Sequence, residues 1–387
     1  MLGGQRVAYF DNAATTYPKP DSVYLYMNEY YRSNGASFGR GNHKAAISAS
    51  ELVNDTRRRI QELLHCPAKQ VVFTPSATIA LNIIIQGLVR KGLKHFYISP
   101  FEHNAVTRVL HSYQEQGVID VQTIIVDKSM KYDLRKIELQ FQGKAPDVLI
   151  MSHASNVCGL IAPVEEISVL AKKYGATVVI DMSQTAGLVD CNTGLETIDY
   201  AVFAGHKTLY GPTGISGFVM KKSAVLPPIL FGGTGFESAN QNMPEDIPER
   251  FEVGTQNILG IAGLNAALKW IENTTLEGIR EREESNRKKL LELLEKYSFI
   301  KVIGNNPECC YVGIVATLID EISSDSAGSV FDRCGIAVRT GLQCAPAAHR
   351  FLGTFPAGTI RFSVCYFTDN NDFSQLAQAL DYIDENI

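Results

Sequence analysis

Lys207 stands where a lysine is uncommon. It follows an apolar run directly within DYAVFAGHKTLYGPTGISG, residues 199–217, and precedes Gly211, Pro212, Gly214 and Gly217. Partial burial between a strand and a tight glycine loop lowers a lysine's pKa and suits it to Schiff-base chemistry. A phosphate-binding or simply exposed lysine fits the same spacing. A Walker loop does not, because there the glycines come first. In VVIDMSQ, residues 178–184, an apolar run ends at Asp181, with Gln184 three residues on. A carboxylate there can hold a protonated ring nitrogen or a metal, although alone it is more simply a helix N-cap. In FTPSATIALN, residues 73–82, Ser76 and Thr78 open a helix after a strand. The free N–H groups and dipole of such an end favour a phosphate, by ~0.3–1 kcal/mol when exposed and up to ~2 kcal/mol when partly buried. Ser76 alone is an ordinary cap. His103 in FEHNA and Asn156 in SHASNVCG close two more strand ends, places that structural histidines and turn asparagines also take. Together the five sites suggest one cofactor. A lysine, an acid for a pyridinium nitrogen and a phosphate cradle are the parts that pyridoxal phosphate requires.

These residues need a scaffold that gathers strand ends. Apolar runs at 70–74, 95–99, 121–126, 147–152, 176–180, 200–204 and 215–220 read as strands, and residues 77–88 and 164–174 as helices between them. That alternation predicts a mainly parallel sheet covered on both faces, with ligands beyond the carboxyl ends of its strands. Residues 47–64 form an amphipathic helix with Leu52, Val53, Thr56, Ile60, Leu63 and Leu64 on one stripe. Residues 230–254, rich in Gly, Pro, Asn and Glu, have no period and read as a long functional or disordered loop. Residues 276–297 read as a helix whose Glu283/Arg287, Glu284/Lys288 and Glu292/Lys296 pairs form a solvated face. From residue 301 a small α+β domain is expected.

Composition narrows the function classes. A chain of 387 residues, 45% hydrophobic and 20% charged, is an ordinary globular protein whose length favours two domains. A net charge of −5 argues against nucleic acid or anionic membrane as partner. No run of 18 apolar residues exists, and the N-terminus lacks a basic region followed by an apolar one, so neither a transmembrane span nor a signal peptide is expected and the location expected is cytoplasmic. The eight cysteines, at 66, 158, 191, 309, 310, 334, 344 and 365, contain no CxxC. They are read as free thiols, with no disulfide framework and no metal site.

The whole set resembles the cysteine desulfurase and selenocysteine lyase family of pyridoxal-phosphate enzymes, with the class V aminotransferase fold. YFDNAATT, EH, SN, DxxQ, GHK with GPTG, RTGLQC and TIRFSV occur in the expected order across nearly the whole chain. The resemblance implies an α/β fold of type I, with a mainly parallel seven-stranded sheet in a large domain (15–255) and a small α+β domain (1–14 with 256–387). It implies pyridoxal 5'-phosphate held by Lys207, with Asp181 on the ring nitrogen, Gln184 on the ring hydroxyl and His103 stacked on the ring and helping to move protons. Ala77, Thr78 and His206 would hold the phosphate. Thr255 would reach the phosphate of a neighbouring subunit, which makes the protein a homodimer. Asn156 and Arg361, with Arg339 a further candidate, would bind the substrate carboxylate, and Asn12 and Ala13 would line the pocket. Cys344, on a compact loop, would take sulfur from L-cysteine as a persulfide, leave L-alanine, and pass the sulfur to an acceptor protein.

The sequence departs from the family at four points. Ala204 stands where a serine is usual, which removes one hydrogen bond to a charged phosphate, about 1.5–3 kcal/mol if nothing replaces it. Ala77 is often threonine in relatives. Leu342 and Gln343 stand where histidines are common, and they bear on rate and substrate preference. L-selenocysteine cleavage or another C–S lyase reaction at the same site is the nearest alternative, and it depends less on Cys344. An aminotransferase needs no Cys344, and a non-catalytic scaffold needs neither Lys207 nor Asp181.

Overall fold

The computed structural model describes residues 7–39, 41, 43–237 and 239–385; the first six residues of the expected small-domain segment and the last two of the chain lie outside them. Among the described residues seven strands form one sheet. Across it run Gln70–Thr74, Ser216–Met220, Tyr200–Ala204, Thr177–Asp181, Val148–Ser152, His95–Ile98 and Asp120–Thr123. Ser216–Met220 is antiparallel to both neighbours, and the five strands beyond it are mutually parallel. All seven expected strands are present within a few residues of their expected limits. The largest difference is at 121–126, where the strand stops at Thr123 and Val126 makes only an isolated bridge to Tyr132.

Alternation along each strand sorts side chains between two cores. Val71, Phe73, Leu149, Met151, Val178, Ile180, Ala201 and Phe203 enter the core on one face. Val72, Val148, Ile150, Val179, Tyr200 and Val202 enter the core on the other. The strands are buried on both faces, as a parallel sheet under helices requires. Helix Ala77–Arg90 covers the second face with Leu81, Ile84, Ile85 and Leu88. Helix Lys44–Leu63 covers the first with Ala49, Leu52, Val53 and Ile60.

A second, four-stranded antiparallel sheet orders Arg339–Gly341, Thr359–Ser363, Ile314–Ile319 and Ile300–Ile303. Its own core takes Leu290, Val315, Phe331, Ile360, Phe362 and Leu376, together with Ala8 and Phe10 from the start of the chain. Ala8–Tyr9 pairs in parallel with Ile336–Ala337. Helix Ile258–Thr274 buries Ile261, Ala262, Leu264 and Ala267 in the large-sheet core. We therefore propose a domain boundary at Thr275, where φ is +67°, rather than at residue 255.

Helix Leu276–Leu294 corrects one sequence expectation. Glu283 is not on a solvated face. It is buried with Ile279, Asn286, Leu290 and Leu294 and accepts a 2.9 Å hydrogen bond from the Gly313 amide. Arg287 lies over the Tyr311 ring instead of pairing with it. The exposed pairs are Arg280–Glu284 and Lys288–Glu292. A charge pattern at i,i+4 does not report which side a second domain covers. Among the described residues no helix is long and apolar enough to cross a membrane.

Candidate functional site

A cavity opens at the carboxyl ends of the parallel strands. Ala77, Thr78, His103, Asn156, Asp181, Gln184, His206 and Lys207 all line it, beside Ser152, Ser183 and Ala204. Eight residues chosen from separate strand ends therefore meet in one place. Lys207 follows Tyr200–Ala204 through Gly205, where a Cβ would sit 2.4 Å from the Ile215 carbonyl oxygen, so only glycine lets the chain turn there. The His206 carbonyl accepts from Thr16 N (3.2 Å), Thr15 Oγ1 (3.0 Å) and Lys19 Nζ (2.6 Å). The Lys207 carbonyl accepts from Thr16 Oγ1 (3.0 Å) and Tyr210 N (2.8 Å). The N-terminal segment thus fixes the backbone on both sides of the lysine. Burial pushes the Lys207 ammonium down to about 8; Asp181 opposes that shift, while Arg361 and Arg339 add to it.

Asp181 uses one oxygen, Oδ1, to accept from Ser183 N (2.9 Å) and Ser183 Oγ (2.5 Å). Its other oxygen has no partner among the described residues. Gln184 donates one N–H to the Ala13 carbonyl at 2.9 Å and keeps a second. His103 caps helix Asn104–Glu115, its Nδ1 accepting from Ala105 N at 3.0 Å. In the neutral ring that assigns the proton to Nε2. Burial, and then the nearby Lys207 charge, hold His103 below its ordinary value.

The Ala77 and Thr78 amides begin a helix whose cap, Ser76, takes only the Ile79 amide. Neither amide has a partner among the described residues, because the cap satisfies only one of the first-turn donors. His206 Nδ1 is buried without a partner, and burial takes this ring down to about 4. Free donors at one end of the cavity, a free carboxylate oxygen and a buried amine fit the phosphate, ring nitrogen and carbonyl of pyridoxal phosphate. Ala204 lines the cavity and offers no hydroxyl. Thr255 is exposed and outside this cavity.

The substrate-side residues come together in part. Arg361 is buried, pairs with Asp11 at 2.6 Å and donates to the Asn156 carbonyl at 2.9 Å. Its Nε is buried with no partner. Asn156 donates its side-chain amide to the Gln343 carbonyl at 2.7 Å. Asn12 is committed to backbone, donating to Ser363 O and accepting from Tyr17 N. Ala13 is held between Ser363 Oγ and Gln184. Both brace the site rather than present side-chain donors to it. Arg339 Nη2 lies 3.6 Å from Cys344 Sγ, so this arginine faces the thiol. Cys344 lines an outer groove that shares Thr78, His103 and Ala105 with the inner cavity.

Sequence reasoning missed Glu102 and Lys19, and it marked Gln343 only as a departure from the family. Glu102 is fully buried and accepts from Ser99 Oγ (2.5 Å), Ser152 N (2.7 Å) and Ser152 Oγ (2.9 Å) behind the cavity wall. Burial, with the Asp181 charge adding to it, raises its carboxyl to about 7. Lys19 is brought down to about 7 by burial. The side chain of Gln343 is buried in the small-domain sheet. Glu102 had a signal in its place beside His103. Lys19 had none, and the place of Gln343 in the family motif did not show its buried bonds, because the partners of both are distant in sequence. Among the described residues no cluster of His, Cys, Asp and Glu could hold a metal ion.

The sheet order and the lysine at its carboxyl edge define a class. A model of the aminotransferase class-V family matches residues 8–376, and the chain belongs to that family. Among its relatives, a probable cysteine desulfurase of Pyrococcus abyssi is 31% identical over 350 residues, spanning 88% of this chain and 86% of that protein. A probable cysteine desulfurase of Xylella fastidiosa is 29% identical over 389 residues, spanning 97% and 91%. The solved apo structure of a cysteine desulfurase from Thermococcus onnurineus superposes with a TM-score of 0.88 at 27% identity, covering 98% of this chain and 95% of that one. The architecture is fold type I of the pyridoxal-phosphate enzymes.

Proposed function

We infer that this chain is a cysteine desulfurase that uses pyridoxal 5'-phosphate and takes sulfur from L-cysteine onto Cys344. One observation carries the reading. Lys207 is buried within electrostatic reach of Asp181, Arg361, Arg339 and Cys344 at once. An aminotransferase uses the lysine, the acid and an arginine, but has no use for the thiol. When bound, the cofactor supplies an electron sink for bonds broken at the substrate α-carbon.

The chain's own residues divide the remaining work. Arg361 and the Asn156 amide would orient the substrate carboxylate, Arg361 through its buried Nε, which no described residue pairs. Lys207, held near 8, moves the α-proton close to neutral pH. With the cofactor bound, the free oxygen of Asp181 would keep the ring nitrogen protonated, and the second N–H of Gln184 would hold the ring hydroxyl. His103, lining the cavity, would hold the cofactor with its Nε2–H available as a proton donor. Cys344 Sγ, with the Arg339 guanidinium against it, attacks the substrate sulfur. The S–S bond forms, the C–S bond breaks, and the electron pair stays with carbon, which takes a proton. The net change is L-cysteine and the Cys344 thiol to L-alanine and the Cys344 persulfide.

The working form is a homodimer that passes its persulfide sulfur to an acceptor protein. Phe231 and Phe236 on the long loop, and Tyr24, Leu25 and Tyr31 on helix Asp21–Ser33, are exposed apolar groups of the kind a second copy covers. Thr255, exposed at the end of that loop, would reach the partner's phosphate in such a dimer. The deciding experiment incubates the protein with L-cysteine and a reductant and measures sulfide and alanine beside Cys344→Ala. Equimolar products, lost in the variant, are expected. A cofactor-loaded protein that makes neither product would exclude L-cysteine as its unaided substrate. L-selenocysteine turnover that persists in Cys344→Ala without any cysteine turnover would make the chain a selenocysteine lyase.

A further inference from the structure

Two adjacent non-glycine residues, Gln343 and Cys344, are left-handed, with φ of +40° and +57°. Side chains rarely adopt this region, and such residues persist where their surroundings over-determine them. The surroundings here are specific. The Gln343 side chain is buried and uses both ends of its amide. Its Oε1 is 2.8 Å from His349 Nε2 and accepts from Thr359 Oγ1 at 3.3 Å. Its Nε2 donates to the Thr359 carbonyl at 2.9 Å. His349 is fully buried, and its Nδ1 lies 2.7 Å from Thr354 Oγ1. A hydroxyl donating to Nδ1 leaves Nε2–H to donate to Gln343, which assigns the tautomer.

The backbone carbonyls beside the thiol are held from the other domain. Asn156 Nδ2 donates to Gln343 O at 2.7 Å, and Asn104 N donates to Cys344 O at 2.7 Å. Asn104 opens the helix that His103 caps. The residue before the thiol is therefore tied by its side chain to the small sheet and by its carbonyl to the strand ends of the large one. We propose that Gln343 is a positioning residue, whose buried amide holds the Cys344 loop in the conformation that presents the thiol to substrate. Leucine at this position would take from His349 Nε2 its side-chain acceptor and from Thr359 O its side-chain donor. The loop would then lose the anchor that opposes its left-handed strain. The backbone carbonyl of Asn156 also accepts from Arg361, so the loop and the proposed carboxylate site share one residue.

The test uses the holoenzyme and two variants, Gln343→Leu and Gln343→Glu; the glutamate keeps the length and the acceptor oxygen. The kinetic arm rests on the desulfurase reading, while alkylation of Cys344 by iodoacetamide, read by mass spectrometry, does not. Displacing a reacting group by ~1 Å can cost about 10²-fold, so Gln343→Leu should lose about that much in kcat for sulfide release from L-cysteine. Its KM and bound cofactor should stay near those of the parent, with the melting temperature lower by only a few degrees. At alkaline pH, where thiols in general are ionised, Cys344 should alkylate several-fold faster in Gln343→Leu than in the parent. Gln343→Glu should recover much of both properties. An unchanged kcat in the leucine variant overturns the proposal whatever the alkylation rate. So does a joint loss of kcat, cofactor and melting temperature that glutamate does not repair. A parent enzyme that makes no sulfide defeats the desulfurase reading instead, and the alkylation rates alone then decide: equal rates overturn the proposal and a faster leucine variant upholds it.

Discussion

Lys207 can act near neutral pH because burial removes water from its ammonium, an effect larger than that of the charges around it. The neutral amine is the form that attacks a carbonyl. Capture of pyridoxal phosphate by cofactor-free protein should therefore speed up as pH rises to about 8 and level off above it, followed by absorbance in a stopped-flow instrument. The Arg339 charge adds to the lowering, so Arg339→Leu should move that midpoint upward. An unmoved midpoint would mean that Arg339 does not contribute to it. Ala204 offers a second test. It lines the cavity without a hydroxyl, and a charge-assisted hydrogen bond contributes about 1.5–3 kcal/mol. Ala204→Ser should bind the cofactor about tenfold or more tightly, as read by fluorescence titration. Equal affinity would show that His206 or ordered water already satisfies that phosphate oxygen.

At the scale of elements, the site depends on where strands stop. Thr177–Asp181 and Val148–Ser152 end level with each other, Ser152 opposite Asp181, which brings Asp181 beside the Glu102–Ser152 bonds. Tyr200–Ala204 ends at a glycine whose Cβ would meet the Ile215 carbonyl oxygen at 2.4 Å. A contact that short with backbone moves the strand or the turn, and the turn carries Lys207. Gly205→Ala should lower the melting temperature and reduce bound cofactor together. A variant that keeps full cofactor would show that the neighbouring strand yields instead. The helix start at Ser76 behaves differently. Ser76→Ala removes a cap, which costs about 1 kcal/mol, yet leaves the Ala77 and Thr78 amides in place. Modestly lower stability with near-normal cofactor binding is expected there.

At the scale of the whole molecule, Glu283 sits where the two cores meet. It accepts from Gly313 N and acts through space on Tyr210 and Cys365. Burial raises its carboxyl to about 8 from an ordinary 4.5. The folded chain then keeps a proton that the unfolded chain releases between those values. Its contribution to stability therefore falls as pH rises through that window and stays low above it. Glu283→Gln keeps the acceptor oxygen without the charge. The variant should match the parent near pH ~5 and exceed it by ~1 kcal/mol or more near pH ~9. His153 and His349, lowered to about 4 by burial, push stability the opposite way with pH, so the informative quantity is the difference between variant and parent in urea unfolding. A constant difference at both pH values would exclude Glu283 as the titrating group.

Lys207, Asp181, Gln184, Thr78, His103 and Asn156 were legible from the sequence because each follows a short apolar run. Period and composition mark such runs locally, and a parallel sheet must gather their carboxyl ends at one edge. The same local logic placed the seven strands of the large sheet. It failed where a residue's partner lies far along the chain. Glu283 has the charge spacing of a solvated helix but is covered by a loop thirty positions on. Asn12 belongs to a pocket-lining motif but spends its amide on Ser363, 351 positions away. Gln343 stands out in the sequence only as a departure from the family's histidine, and the approach of Thr359, His349 and Asn156 is what ties it to the loop. The sequence alone determined which groups could do the chemistry, because that follows from residue type and local period. Tertiary structure decided which of them brace and which face the cavity, because burial and hydrogen-bond pairing depend on contacts between distant segments.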